Sequence, residues 1–245
     1  MTESEAAFLT GYDPAAYDRP SIAVDLVLMS VIDGAPAALL VRRDEHPFAG
    51  TWALPGGFVR MDEALDDAAR RVLEEKAHMA QAAGAYMEQL YTFGAVSRDP
   101  RTRVIAIAYF ALLPAGRFAA ALKADPGLSL ARLRLDAQGS AVADCEDGAL
   151  PLAFDHSEIL GLAIRRLRGK IDWSPIAFAL LPERFTLRAL QDVHEAILGT
   201  PLNKPAFRRR MLDRGWLEAT GERETGSSFR PAELFRFRPF PTVTG

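Results

Sequence analysis

The sequence contains almost no cysteine. Cys145 is the single cysteine among 245 residues. One thiol cannot form a disulfide within the chain, and it cannot build a metal site from several cysteines. The apolar fraction of 49%, with 25% charged residues, is that of an ordinary globular protein with enough apolar material for a core.

A long hydrophobic run is also lacking. No uninterrupted apolar stretch approaches the roughly 20 residues that a membrane-spanning helix needs. The acidic start, Met1 to Phe8, has no positive region followed by an apolar core, so it does not have the form of a signal peptide. We therefore expect a cytoplasmic protein without a membrane span.

The charges are distributed unevenly along the chain. Residues 184–245 hold 11 of the 29 Lys and Arg residues but only 7 of the 32 Asp and Glu residues. This gives a net charge of +4 there and leaves 18 cations against 25 acids, or −7, for residues 1–183. A basic end on an acidic body predicts a separate partner for that end, such as nucleic acid.

Apolar runs and turn residues predict strands and helices in mixed order. The predicted strands cover residues 21–32, 37–41, 104–113 and 128–135. Asp33-Gly34 predicts a hairpin between the first two strands. Asp155 is expected to open a helix, with Glu158 completing a capping box three residues later. Residues 137–150 are expected to form an irregular loop.

The stretch from Gly56 to Met79 joins a glycine pair to a charged helix. Apolar side chains recur every three or four residues along the helix, which should therefore present one apolar stripe to a core. The stretch resembles the Nudix box. The matching residues are Gly57, Glu63, Arg71, Leu73, Glu75 and Met79. Three positions depart, because Val72 and Lys76 replace glutamates and His78 replaces a glycine.

The departures affect the metal-binding positions of the box. Positions 72, 75 and 76 lie within one turn of a helix, where three carboxylates would converge on a cation, and Mg²⁺ prefers such oxygen ligands. Only Glu75 remains, and a lysine about 4 Å from a divalent ion would repel it by up to roughly 8 kcal/mol. We expect no metal or a weak site at Glu75, with Glu74 as the other residual catalytic candidate. Mg²⁺ or Mn²⁺ would be needed only for hydrolysis.

The C-terminal segment has the order helix, turn, helix and two strands, the second of which is expected over residues 229–237. Thr186 and Asn203 are predicted N-caps, and Gly199 and Gly215 the helix ends. This order is typical of a winged helix-turn-helix, whose second helix enters the major groove of DNA. The cations expected to contact DNA are Lys204, Arg208, Arg209, Arg210 and Arg214 on the second helix and Arg230 in the wing. About four phosphate contacts per subunit would give a dimer a log-log salt slope near −7. The alternative is a basic helix that packs against the Nudix body.

Several segments together resemble the Nudix-related transcriptional regulators of NAD metabolism. They are residues 185–199 and 207–212, Tyr12-Asp-Pro, Gln89 to Gly94 and Phe154-Asp-His. The resemblance implies an α/β (α+β) Nudix α-β-α sandwich with a mixed sheet over residues 1–180 and a winged helix over residues 181–245. It implies a homodimeric repressor that binds ADP-ribose or a related nucleotide, requires no cofactor, and binds operator DNA. Pro205 and Ala206 stand where the family tends to have Arg and Asn, so two polar contacts are absent.

The resemblance also indicates where the ligand binds, because the Nudix loop and helix carry the diphosphate. The expected ligand-binding residues are Arg43, Gly56, Gly57, Arg60, Glu75, Lys76 and Arg98. The loop with Arg98, Arg101 and Arg103 either holds an anionic ligand or is a solvated hairpin tip.

Two other functions remain open at the level of sequence. An ADP-ribose pyrophosphatase could use Glu75 with Glu74, Asp67 or Glu63 as substitute acids, although the family pattern predicts that Glu63 pairs with Arg71. A protein-interaction module that has lost both activities is the third possibility. His156 is expected to be structural rather than catalytic.

Overall fold

The computed structural model describes residues 3–79, 86–225 and 231–238. The helices are α1 (Glu3–Gly11), α2 (Leu65–Ala77), α3 (Ala119–Ala124), α4 (His156–Ile171), α5 (Leu187–Leu198) and α6 (Lys204–Asp213). Short 3-10 helices cover Pro14–Ala16, Ala115–Phe118 and Pro175–Leu180. None of the helices in these ranges is both long and apolar enough to cross a membrane.

Twelve strands are present in the same described ranges. They are β1 (Ser21–Ile32), β2 (Ala35–Arg42), β3 (Trp52–Ala53), β4 (Gly56–Phe58), β5 (Tyr86–Phe93), β6 (Val104–Leu112), β7 (Leu128–Leu135), β8 (Ala141–Cys145), β9 (Gly148–Leu150), β10 (Phe185–Thr186), β11 (Leu217–Arg223) and β12 (Glu233–Phe237). The predicted strands over 21–32, 104–113 and 128–135 agree with β1, β6 and β7 to within one residue.

Nine strands form one mixed sheet. Its order is β5-β6-β1-β2-β7-β8-β9, with β3 paired to β2 and β4 paired to β1. Strands β1 and β6 run parallel, with Val24 opposite Ile107, and the other pairs are antiparallel. The pairing of β4 with β1 brings the glycine pair of the box against the middle of the sheet.

Helices cover both faces of this sheet, and the central strand β1 shows why. Alternate side chains of a strand point to opposite faces. Leu26 and Leu28 belong to an apolar cluster with α2 and α3, whereas Val27 and Met29 belong to a second cluster with α4. All four side chains are at most 1% exposed. The result is the α-β-α sandwich that the resemblance predicts.

The C-terminal unit consists of α5, α6 and a three-stranded sheet of order β10-β12-β11. Both predicted N-caps form, because Thr186 Oγ1 accepts from the Ala189 backbone N–H at 3.1 Å and Asn203 Oδ1 accepts from the Ala206 N–H at 3.0 Å. Gly199 ends α5 with a φ of 74°, in the left-handed region that glycine favours.

The two units share one apolar core. The cluster on the α4 face of the large sheet continues through the 3-10 helix Pro175–Leu180 into α5 and β12. Phe178 stacks on Phe237 with ring centroids 4.6 Å apart, and it meets Trp216 edge to face at 6.1 Å. The winged unit is therefore packed against the Nudix unit.

Three sequence-based expectations were wrong in detail. Residues 137–150 are not an irregular loop, because β8 and β9 extend the sheet there and Ala141 and Ala143 are buried. The second strand of the wing starts at Glu233 rather than residue 229, and residues 226–230 lie outside the described ranges. Asp155 precedes α4, but its carboxylate makes no capping bond and binds Arg98 instead.

Candidate ligand cleft and nucleic-acid interface

The loop of the box is fixed to α2 by a single arginine. Arg71 donates from Nε and Nη2 to the two carboxylate oxygens of Glu63, at 2.9 and 2.6 Å. Its Nη2 also donates to the Phe58 carbonyl at 3.0 Å. The hydrogen bonds from Arg71 and from the Arg60 backbone lower the pKa of Glu63 to about 2. The expected structural role of Glu63 is confirmed.

The three metal positions of the box do not form a cation site. Val72 is fully buried, and its Cγ2 lies 3.3 Å from where a Cβ on Gly57 would stand. Glu75 pairs with Arg60 at 3.4 Å and with Arg71 at 3.3 Å. Within the described residues no group of three or more His, Cys, Asp or Glu side chains could hold a metal. The donor set therefore does not fit Mg²⁺.

A cleft of about 380 Å³ lies beside the box. Five of the expected ligand-binding residues line it, namely Arg43, Gly56, Gly57, Lys76 and Arg98. The other two, Arg60 and Glu75, are outside its lining and pair with each other. The cleft is within the size range of small-molecule sites.

The floor of the cleft is a buried charge network centred on Arg98, whose side chain is only 4% exposed. Arg98 donates to both carboxylate oxygens of Asp155, at 2.9 and 2.7 Å, and to Asp25 Oδ2 at 3.3 Å. Asp25 in turn lies against Gly56, where an added Cβ would stand 2.5 Å from Oδ1. Arg98 thus serves first as the counter-ion of two carboxylates, the buried Asp25 and the partly buried Asp155.

His156 completes this floor. Its Nδ1 accepts the Leu54 backbone N–H at 2.9 Å, which places the ring proton on Nε2, 3.9 Å from Asp25. Burial lowers the pKa of His156 and keeps the ring neutral, against the opposing effect of the nearby carboxylates. The expectation that His156 is structural agrees with this position.

The wall of the cleft combines two guanidinium groups with two aromatic rings. Arg101 is held by Asp99 through bonds of 3.0 and 2.7 Å, and its guanidinium lies 5.7 Å from the Phe58 ring centre. Arg43 lies over the Phe154 ring at 4.9 Å. Burial and the neighbouring Arg101 lower the pKa of Arg43.

Three of these residues were not in the expected ligand-binding set. Arg101 was expected only as part of a loop that either holds an anionic ligand or is a solvated hairpin tip. The two rings of the wall, Phe58 and Phe154, were also not identified. Phe58 directly follows the glycine pair, and Phe154 belongs to a segment typical of the family. Their positions relative to these motifs were the signal by which the sequence could have placed both rings in the ligand site.

The second helix of the winged unit, α6, divides its cations between two faces. Phe207 and Met211 are buried at 3% and 1% exposure, and this fixes the orientation of the helix. Lys204, Arg208 and Arg209 are exposed. A groove of about 390 Å³ beside them is lined by Lys204 and Arg208 and also by Arg188 of α5 and Arg223 of β11.

The other two cations of this group, Arg210 and Arg214, are turned towards the Nudix unit. Arg210 Nη2 lies 3.5 Å from Asp172 Oδ1, and Arg214 Nη2 donates to the Asp172 carbonyl. Arg214 also lies over the Trp216 ring at 4.6 Å. Arg230 lies outside the described residues. Within the described residues, the exposed basic face of α6 therefore holds three of the five helix cations that were expected to contact DNA.

Comparison with known proteins identifies both units. A family profile described as NUDIX domain matches residues 20–133, and one described as NrtR DNA-binding winged helix domain matches residues 177–237. An ADPR responsive transcriptional repressor of Acinetobacter baylyi is 36% identical over 236 residues, which cover 96% of this chain and 88% of the relative. The chain belongs to the NrtR family.

Other similar proteins fit this placement. Shewanella oneidensis NrtR, crystallised with a 27mer DNA, has a TM-score of 0.73 and 33% identity, covering 89% of this chain and 93% of its own. An ADP-ribose pyrophosphatase of Methanocaldococcus jannaschii is 32% identical over 145 residues, 59% of this chain and 73% of the relative. The predicted order of a Nudix domain and a winged helix, as in the NrtR family, is confirmed.

Proposed function

We propose that this chain is an ADP-ribose-responsive transcriptional repressor that binds operator DNA through its winged helix. The observation that carries the proposal is the combination of two sites in one chain. A basic recognition helix is packed against a Nudix unit that keeps a charged cleft but, in its described residues, has no converging carboxylates. The Acinetobacter baylyi relative, similar over nearly the whole length, is named for this function.

The cleft supports binding of a nucleotide diphosphate. Arg43, Arg101 and Lys76 line it and supply positive charge for the two phosphates. Gly56 and Gly57 allow the ligand to approach the backbone closely. The Phe58 ring is 47% exposed and offers a surface on which a base can stack. Arg98 stabilises the floor of the cleft through its hydrogen bonds to Asp25 and Asp155.

Binding without turnover is part of the proposal. Hydrolysis by a Nudix site needs a divalent cation, Mg²⁺ or Mn²⁺, whereas the position of the first glutamate is taken by the buried Val72. Lys76 lines the cleft where another carboxylate would stand. We infer that the sensing function requires no metal cofactor.

A second candidate, an ADP-ribose pyrophosphatase, is favoured by the similarity to the Methanocaldococcus jannaschii enzyme and by the exposed acids Glu74 and Glu75 on α2. Incubating ADP-ribose with the chain and Mg²⁺ or Mn²⁺ separates the two functions. The repressor proposal predicts no AMP above a blank reaction. Rapid AMP formation that is lost in Glu75→Gln would instead establish the enzyme.

The DNA-binding part is tested with the full-length chain. Fluorescence anisotropy at moderate salt should show specific binding to a fragment from upstream of its own gene, and ADP-ribose should change the affinity. A fragment of equal length and shuffled sequence is the control. Equal binding of both fragments would contradict the proposal.

We further propose a cytoplasmic homodimer with a domain boundary between residues 180 and 181.

A further inference from the structure

Helix α4 connects the ligand cleft to the recognition helix. At its N-terminal end, Phe154 and His156 line the cleft and Asp155 holds Arg98, which also lines it. The helix then runs for 16 residues, or about 24 Å. At its C-terminal end it reaches Asp172, the C-cap residue.

The C-terminal end of α4 is where the winged unit is attached through polar contacts. Arg210 and Arg214 of the second helix bind the carboxylate and the carbonyl of Asp172, respectively. Arg168 Nε of α4 donates to the Ile197 carbonyl at the end of α5, at 2.7 Å. The negative end of the α4 dipole adds to the attraction for these cations.

The arginines at this contact are only partly satisfied. Arg210 Nε and Arg214 Nη1 are buried and have no hydrogen-bond partner among the described residues. Burial and the neighbouring Arg210 lower the pKa of Arg214. The buried ring of His194 is close by and contacts Phe207 at 5.0 Å between ring centroids. Two guanidinium groups are thus held beside one carboxylate, and the Arg210–Asp172 pair is partly open to solvent, with side chains 40% and 52% exposed.

We infer that Asp172 is a positioning residue through which the ligand cleft sets the orientation of the recognition helix. This inference rests on the proposed function, since it assigns the route by which a nucleotide in the cleft affects DNA binding. A ligand that moves the N-terminal end of α4 also moves Asp172, because a helix transmits displacement along its axis. Arg210 and Arg214 carry that movement to α6.

A purely structural role for Asp172 would have a different consequence. It would weaken folding or DNA binding without changing the factor by which ADP-ribose alters DNA affinity. That factor is the ratio of the DNA Kd values measured with and without ADP-ribose. It measures the coupling between the two sites, which is commonly about 5- to 150-fold in allosteric proteins.

The test compares Asp172→Ala and Asp172→Asn with the wild-type chain, all at full length. The matched control is Asp213→Asn, which removes the same charge from an exposed position on α6. Anisotropy with the specific DNA fragment gives the coupling factor, and calorimetry gives the Kd for ADP-ribose. We expect both Asp172 variants to reduce the coupling factor at least threefold while the ADP-ribose Kd stays within twofold of wild type. Asp213→Asn should keep the wild-type factor.

The outcomes are distinct. A wild-type coupling factor in Asp172→Ala overturns the inference, as does an equal loss in Asp213→Asn. If Asp172→Ala does not fold, Asp172→Asn decides alone, because its side chain has nearly the same shape as that of aspartate. If the wild-type chain itself shows no effect of ADP-ribose on DNA binding, the proposed function fails and the inference fails with it.

Discussion

Replacing Arg208 with glutamine should weaken DNA binding in a way that depends strongly on salt. Arg208 is exposed on α6 and lines the basic groove together with Lys204. Arg210, two residues further along the same helix, is instead paired with Asp172. The same substitution can therefore be compared at two arginines on opposite faces of one helix.

The size of the effect follows from counting the exposed cations. Lys204, Arg208 and Arg209 give six cations in a dimer, and each phosphate that is neutralised contributes about 0.9 to the log-log salt slope. The slope from this helix is then about −5, smaller than the value near −7 expected from sequence. Arg208→Gln removes two contacts per dimer and brings the slope to about −4. Between 50 and 200 mM salt, affinity should fall about 1,000-fold for the wild type and about 250-fold for the variant.

The assay is anisotropy of a labelled DNA fragment at several KCl concentrations, with Arg210→Gln as the control. The control should keep the wild-type slope, even if its affinity changes through the contact with α4. The reasoning is refuted if Arg210→Gln reduces the slope as much as Arg208→Gln does.

Three further predictions concern the Nudix unit. Gly56→Ala places a Cβ 2.5 Å from Asp25 Oδ1 and should lower the free energy of unfolding by about 1–3 kcal/mol in urea denaturation, with weaker ADP-ribose binding by calorimetry. The lowered pKa of His156 means that the unfolded chain binds a proton more readily than the folded chain. The stability that the neutral His156 contributes is therefore complete above pH 6.5. It should fall by about 1.4 kcal/mol per pH unit below that pH, and His156→Gln should remove this dependence. Val72→Glu buries a carboxylate at a position of 0% exposure and should lower the free energy of unfolding by about 3 kcal/mol or more. The variant should produce no AMP from ADP-ribose and Mg²⁺. Turnover would contradict the conclusion that position 72 is too buried to hold a metal ligand.

Local signals were sufficient for much of the fold. The turn at Asp33-Gly34 and the caps at Thr186 and Asn203 depend on residues within a few positions of each other, and all three were predicted correctly. The hairpin of β8 and β9 was missed. Its buried residues include Ala141 and Ala143, whose small side chains give little apolar alternation.

The side-chain partners that sequence could not predict are set by long-range contacts. Asp155 and Glu158 have the spacing of a capping box, but a buried guanidinium from residue 98 takes the Asp155 carboxylate instead. The direction of Arg210 and Arg214 depends in the same way on Asp172, 38 residues before the first of them. Spacing along one helix identifies a basic segment, whereas the partner across the interface determines which of its arginines remain exposed.

The proposed function requires that one chain binds a nucleotide and DNA at sites that affect each other. The most direct measurement is the ADP-ribose Kd of the full-length chain by calorimetry, first alone and then saturated with the specific DNA fragment. Linkage requires the two Kd values to differ by the same factor by which ADP-ribose changes the DNA Kd. Equal ADP-ribose affinities with and without DNA would contradict coupling between the two sites.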